Sequence, residues 1–137
     1  MEDQLRKHLL FIVLMFGISS AAFGHVVAGD NPEIAMIFEA DQEIRRSFSS
    51  ETANNQGFVA RMIAEDEARR ARIAELLAEG ALTTANDFYR AAFIYQHGSE
   101  PSSYLLAHTL AVAAATRGHE RAGWISAATL DRYLQAI

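Results

Sequence analysis

The 137 residues contain no cysteine. That excludes disulfides, thiolate zinc sites, a cysteine nucleophile and a bacterial lipoprotein anchor, and it leaves redox compartment unreadable from cysteine use. Proline is nearly absent, and the two present, Pro32 and Pro101, each mark a break or a helix start. Lysine is scarcer still: Lys7 is the only one, and every later cation is an arginine. With 12 Lys+Arg against 17 Asp+Glu the formal net charge is −5. No basic patch interrupts that balance, so a nucleic-acid partner is not expected, because phosphate binding needs concentrated positive charge. Nor does any segment alternate apolar and polar residues with period two, so no strand is expected. Half of the residues are apolar and 21% are charged, a globular composition, and the length suits one domain.

The N-terminus carries a targeting pattern. Arg6 and Lys7 precede the apolar run LLFIVLMFGISS, and small residues at Ala22 and Gly24 follow it. That is the layout of a secretory signal over residues 1–24, cleaved after Gly24 or Ala22. The alternative is an uncleaved anchor over residues 9–28, about as long as a spanning helix needs to be, although Gly17, Ser19, Ser20, Gly24 and His25 make it a poor span. The expected location is periplasmic or secreted, with the membrane engaged only through that segment.

Residues 25–31 read as a linker, and residues 32–137 as a single domain. Asn31 before Pro32 is a helix start, because Asn caps well and proline suits the first turn. A first helix is expected over Pro32 to Phe48, with Ile34, Ile37, Phe38, Ile44 and Phe48 on one stripe. After the break SSETANNQG, a second runs from Phe58 to Leu77 and ends at Gly80. Thr84 and Asp87 have capping-box spacing before a third helix, Ala85 to Gln96. Ser102 or Ser103 would cap a fourth, Tyr104 to Thr116, which is apolar almost all round and so expected at the centre. Gly118 closes it, and a fifth runs from Glu120 to Gln135. The expected fold is all-α: a compact antiparallel bundle, or stacked helical hairpins, of about five helices.

Polar residues inside the apolar stripes are the candidate site. Asp41 follows Ile37 and Phe38 on the buried face, with Arg45 four residues on; Asp66 follows Met62 and Ile63, with Arg70 four residues on. Both spacings suit same-face ion pairs. Asp131 falls seven residues after Trp124, and His108 lies among Tyr104, Leu105, Ala111 and Val112, so both are expected to point inward. A buried carboxylate is costly unless paired or bound to a cation. The cluster is therefore either a structural ion network or an Asp/His pocket in which Asp131, His108 and His97 act as catalytic groups, Asp131 and His108 also being the candidate metal ligands. The spacing matches no established metal motif, and no cofactor is indicated. His97 sits where a histidine favours the helix dipole, before Gly98 as a left-handed cap, while Gln96 beside it could line a cleft. His119 and His25 read as surface residues, Trp124 as core, and Tyr89 and Arg90 as rim.

Two resemblances add to this. LAVAAATRGHERAGWISAA, with Ala111, Ala115, Gly118, Ala122, Trp124 and Ala127, is weakly similar to a tetratricopeptide or Sel1-like helical repeat. Residues 60–137 as a whole resemble a bacterial domain-of-unknown-function family. The shared segments are Asp66 to Arg70 (D-x-x-x-R), Gly80 to Tyr89 (L-T-T-x-x-D-F/Y), Ala92 to Gly98 (Q-H-G), Ala107 to Ala111 (A-H-x-L-A) and Trp124 to Leu134 (W-x-x-A-A-T-x-D-R-x-L). The resemblance implies that Asp87, Gln96, His97, His108, Asp131 and Arg132 belong to the family's pattern, and it implies no activity. Family members continue into a Gly/Pro/Gln-containing tail after the last segment, whereas this sequence stops at Ile137. The leading expectation is an exported module that binds or scaffolds a protein or peptide in a groove between helices. Gln96, His97, Asp87, Arg132 and Trp124 are its candidate binding residues. The alternative is a metal-binding or hydrolase-like enzyme.

Overall fold

The computed structural model describes residues 29–137; the expected signal segment, His25 and most of the linker lie outside the described residues. Six helices follow: α1 (Pro32–Arg46), α2 (Ser50–Ala53), α3 (Gln56–Ala78), α4 (Ala85–Tyr95), α5 (Pro101–Thr116) and α6 (Ala122–Ala136). There is no strand among the described residues, and the protein is an all-α bundle. The extra helix beyond the five expected is α2. Ser49 and Thr52 form a capping box that organises this single turn inside the expected break.

Local chemistry accounts for the ends. The Asn31 side chain accepts from the amides of Glu33 and Ile34, with Pro32 in the first turn. Gly80 and Gly118 carry φ of 71° and 91°, the left-handed region that a side chain disfavours. The start of α5 departs from expectation. Its N-cap is Glu100, without a side-chain cap bond, and Pro101 opens the helix, so neither Ser102 nor Ser103 serves.

Isoleucine and alanine divide the interior. Ile34, Ile73, Ile94 and Ile125, one each from α1, α3, α4 and α6, are fully buried or nearly so. Ala91 and Ala92 of α4, Ala107, Ala111 and Ala114 of α5, and Ala122 of α6 have no exposed surface at all. Those alanines let α4, α5 and α6 approach closely, and α5 and α6 double back on each other around Gly118 as a helical hairpin. The centre, however, is α4 rather than α5. Helix α4 touches all four other long helices, whereas α5 packs on α4 and α6 alone. Leu105 and Val112 of α5 stay 43% and 40% exposed, so apolar residues all round do not place a helix at the centre here. Phe48 and Trp124, expected inside, are 48% and 68% exposed. Each lies near or beyond a helix end and is covered on one side only, Phe48 by Phe58 of α3 and Trp124 by Phe93 of α4.

Gly98 is not a left-handed cap; the described positive-φ residues are Gly80 and Gly118. Its role is close approach. A Cβ there would lie 2.3 Å from Ser103 Cβ and 3.2 Å from the Tyr95 carbonyl oxygen. The corner between α4 and α5 can therefore be tight only with glycine. Gly98→Ala is expected to destabilise by about 1–3 kcal/mol, the usual cost of overpacking. Adding Ser103→Gly should recover part of it, and urea unfolding of the single and double variants checks this.

Candidate functional site

The α4–α5 corner, Gln96–His97–Gly98, gathers side chains from three other helices. Arg70 of α3 donates to the His97 carbonyl oxygen at 3.1 Å, and Arg132 of α6 donates to the Gln96 carbonyl oxygen at 2.8 Å. These are carbonyls that a helix C-terminus leaves without intrahelical partners, and a cation there also suits the helix dipole. Helix α1 reaches the corner through the His97 ring, whose Nδ1 lies 2.9 Å from Asp41 Oδ1. An ionised carboxylate only accepts, so Nδ1 carries the proton and donates, leaving Nε2 with a lone pair in the neutral ring.

Behind Asp41 the network continues. Arg45 lies 3.3 Å from Asp41 and 2.6 Å from Asp66; Arg69 lies 2.7 Å from Asp66 and 3.9 Å from Asp41. The expected Asp41–Arg45 pair is present. The expected Asp66–Arg70 pair is not: Asp66 is taken by Arg45 and Arg69, and Arg70 turns to the corner carbonyl instead. An i+4 spacing allowed that pair, but Arg45 approaching from α1 and Arg69 from one position earlier fill the carboxylate first. Burial pushes the Asp66 carboxyl up. Hydrogen bonds from Arg45 and Arg69, with the charges of Arg45 and His97, outweigh that and hold it below its ordinary 3.8.

Other expected site residues lie apart from this cluster. Asp131 is exposed, not inward, and its carboxylate accepts from Gln135. Its position seven after Trp124 put it on Trp124's face, and that face is the solvent side of α6. His108 is half-buried, its Nδ1 2.9 Å from the Ser126 carbonyl oxygen, which joins α5 to α6. Neither hydrogen-bonds the other or His97, so the three do not form one pocket. Asp87 is fully buried, closing a capping box with Thr84 and accepting from the amides of Asn31, Thr83 and Thr84. It ties the entry of α1 to the entry of α4, and all its bonds are internal. Gln96 is buried. Arg132 is spent on the corner.

A second feature was missed by the sequence reading: an aromatic groove of about 360 Å³ between α1, α4 and the α5–α6 corner. Its floor is Phe38, Tyr89, Phe93 and His119. Phe38 meets Phe93 edge-on at 5.9 Å, Tyr89 and Phe93 are 4.9 Å apart, and His119 stacks on Tyr89 at 3.8 Å. Trp124 extends the row, 6.4 Å from Phe93. Tyr89, expected at the rim, is thus buried, and His119, expected at the surface, is half-buried with an Nδ1 that has no hydrogen-bond partner. Burial, with Arg121 and Arg90 nearby, pushes the His119 imidazole below its ordinary 6.5. The hint in the sequence was Tyr89 and Phe93 four residues apart on one face of a helix.

Compared with known proteins, the chain matches no family model, and no curated protein and no solved structure is significantly similar to it. Function therefore rests on the geometry.

Three measurements test these contacts. Asp41→Ala leaves His97 and Arg45 short of a buried partner and should cost about 3 kcal/mol, whereas Asp131→Ala should stay within about 0.5 kcal/mol of the parent. Urea unfolding of both variants separates the buried acid from the exposed one. Because the folded Asp66 value lies below its unfolded one, its contribution is complete above pH 3.8 and is lost as the pH falls through the folded value. Asp66→Asn should therefore flatten the acid arm of the stability curve. By NMR, the His119 ring should titrate below 6.5; a midpoint at or above that would contradict its burial as a neutral ring.

Proposed function

We propose that this chain is an exported helical binding module that takes a segment of a protein or peptide in the groove floored by Phe38, Tyr89, Phe93 and His119. The observation that carries the reading is a contrast. The buried acids are occupied by Arg45 and Arg69, while the groove bordered by the half-buried rings of Phe38 and Phe93 is open to solvent. Aromatic rings offer large contact area at low conformational cost, which is why they anchor binding surfaces. A volume of about 360 Å³ is in the lower part of the range for ligand sites and suits one or two side chains of a bound segment. The targeting pattern over residues 1–24 supports export. No described helix is long and apolar enough to cross a membrane.

Display of a random peptide library against the chain tests this. Enriched peptides should lose at least about tenfold in affinity on Phe93→Ala and on Phe38→Ala. Failure to enrich any consensus, or binding indifferent to both substitutions, would reject the groove.

One observation favours a second reading. Asp41, Asp66 and His97 each offer a ligand atom within 4.8 Å of one another, and Asp41 orients the His97 ring as a carboxylate does in many acid–base sites. The arginines in the same cluster already neutralise both carboxylates, which weighs against a cation there. Thermal unfolding in zinc and in manganese should accordingly show no stabilisation beyond that of Asp66→Asn. A stoichiometric shift abolished in that variant would favour the metal reading.

A further inference from the structure

Among the described residues, α5 is the one long helix without a lysine, arginine, aspartate or glutamate. A helix at a protein surface ordinarily carries charge on the side away from the core. The exposed positions of α5 are instead Leu105, Thr109, Val112 and Thr116, which recur every three or four residues and so share one stripe. On α6 the exposed residues Gly123, Ala127, Leu130 and Leu134 do the same. The His108 ring against the Ser126 carbonyl oxygen sets the two helices side by side. The hairpin thus has an uncharged outer face, in a chain whose formal net charge is −5. Leu105 and Val112 are 43% and 40% exposed, Leu130 and Leu134 38% and 59%. The eight residues together present roughly 600 Å² to solvent, so two such faces would bury about 1,200 Å², the lower end of the range for a specific, stable interface.

The order of sizes along the α6 stripe points to the occupant. Gly123 and Ala127 are small, Leu130 and Leu134 large, and their four–three–four spacing is that of a seam between paired helices. A second α6 laid antiparallel about a twofold axis between Ala127 and Leu130 sets every small residue against a large one. Gly123 then meets the partner's Leu134, and Ala127 meets the partner's Leu130. A twofold interface has to be complementary to itself, and this stripe is, in that one register. The absence of charge serves the same end, because no like charges meet across the axis and none has to be desolvated. We propose that this face joins two copies of the chain, with Leu130 and Leu134 of each filling the hollows over Ala127 and Gly123 of the other. Leu105 and Val112 of α5 flank the seam. The proposal stands apart from the groove reading, since the rings of Phe38 and Phe93 belong to α1 and α4.

Sedimentation equilibrium of the full chain tests this. It should show a monomer–dimer equilibrium with a Kd in the micromolar range, as suits an interface of modest area. Ala127→Glu puts an acid into the seam, and Ala127→Leu sets leucine against leucine. Each should weaken dimerisation at least about tenfold. Adding Leu130→Ala to Ala127→Leu restores large against small across the axis and should recover most of the lost affinity. These side chains are exposed, so the fold should persist, which circular dichroism and urea unfolding of each variant check. Phe93→Ala should leave the dimer unchanged. A chain that stays monomeric well above micromolar concentration would give the face to another occupant and overturn the proposal. A dimer indifferent to Ala127→Glu would place the contact elsewhere and overturn it too, as would folded Ala127→Leu protein that Leu130→Ala does not rescue.

Discussion

Asp41 is 1% exposed, so its carboxylate must be satisfied from within the protein, and the arrangement of four helices follows from how that is done. His97 supplies one hydrogen bond from the end of α4, Gln42 another from α1 itself, and Arg45 carries the charge on to Asp66 in α3. On the far side of the same corner, Arg70 and Arg132 close the two carbonyls that α4 leaves open. Helices α1, α3, α4 and α6 are thereby referred to a single turn of backbone. Desolvated charges add little net stability on their own, but removing one partner strands the others, so such a network favours one arrangement over its alternatives.

The clamp also explains why the most chemically suggestive residues are not where chemistry has room. Asp41, Asp66 and His97 converge, yet the two carboxylates are taken up by Arg45, Arg69, Gln42 and the His97 Nδ1. One turn earlier along the same α1-facing side of α4, Phe93 meets Phe38, and no charged partner is spent there. One side of α4 therefore carries both features, the rings that border the groove and, at its end, the clamp. The clamp fixes α1 against α4, which sets the distance between Phe38 and Phe93 and with it the width of the groove.

Much of the fold was legible because it rests on local rules. Asn31 with Pro32, Thr84 with Asp87, and the glycines at 80 and 118 mark helix ends through contacts within a turn, and spacing is enough to see them. The burial of Asp41 was legible from Ile37 and Phe38 before it; Asp66 is buried as expected, although Ile63, one of the residues that pointed to it, is 57% exposed. Which arginine would meet Asp66 was not, because Arg45 arrives from another helix and Arg69 and Arg70 are equally near in sequence. Asp131 misled for a related reason. It shares a stripe with Trp124, and a tryptophan alone does not say that a stripe is buried. The groove was the least legible feature, since Phe38, Tyr89 and His119 come from separate segments and meet only through tertiary packing. Gly98 was read as a left-handed helix cap, which its backbone does not adopt; the crowding by Ser103 that calls for glycine there is invisible in one dimension.

The His97–Asp41 bond is the structural link between α4 and α1, and a double-mutant cycle with Asp41→Asn and His97→Gln measures it most directly. Equilibrium unfolding at neutral pH should give each single variant a loss of stability and a coupling between them of about 0.5–3 kcal/mol, the range for residues in one buried network. Additive losses, or single variants as stable as the parent, would contradict the clamp and return His97 to the role of a free imidazole.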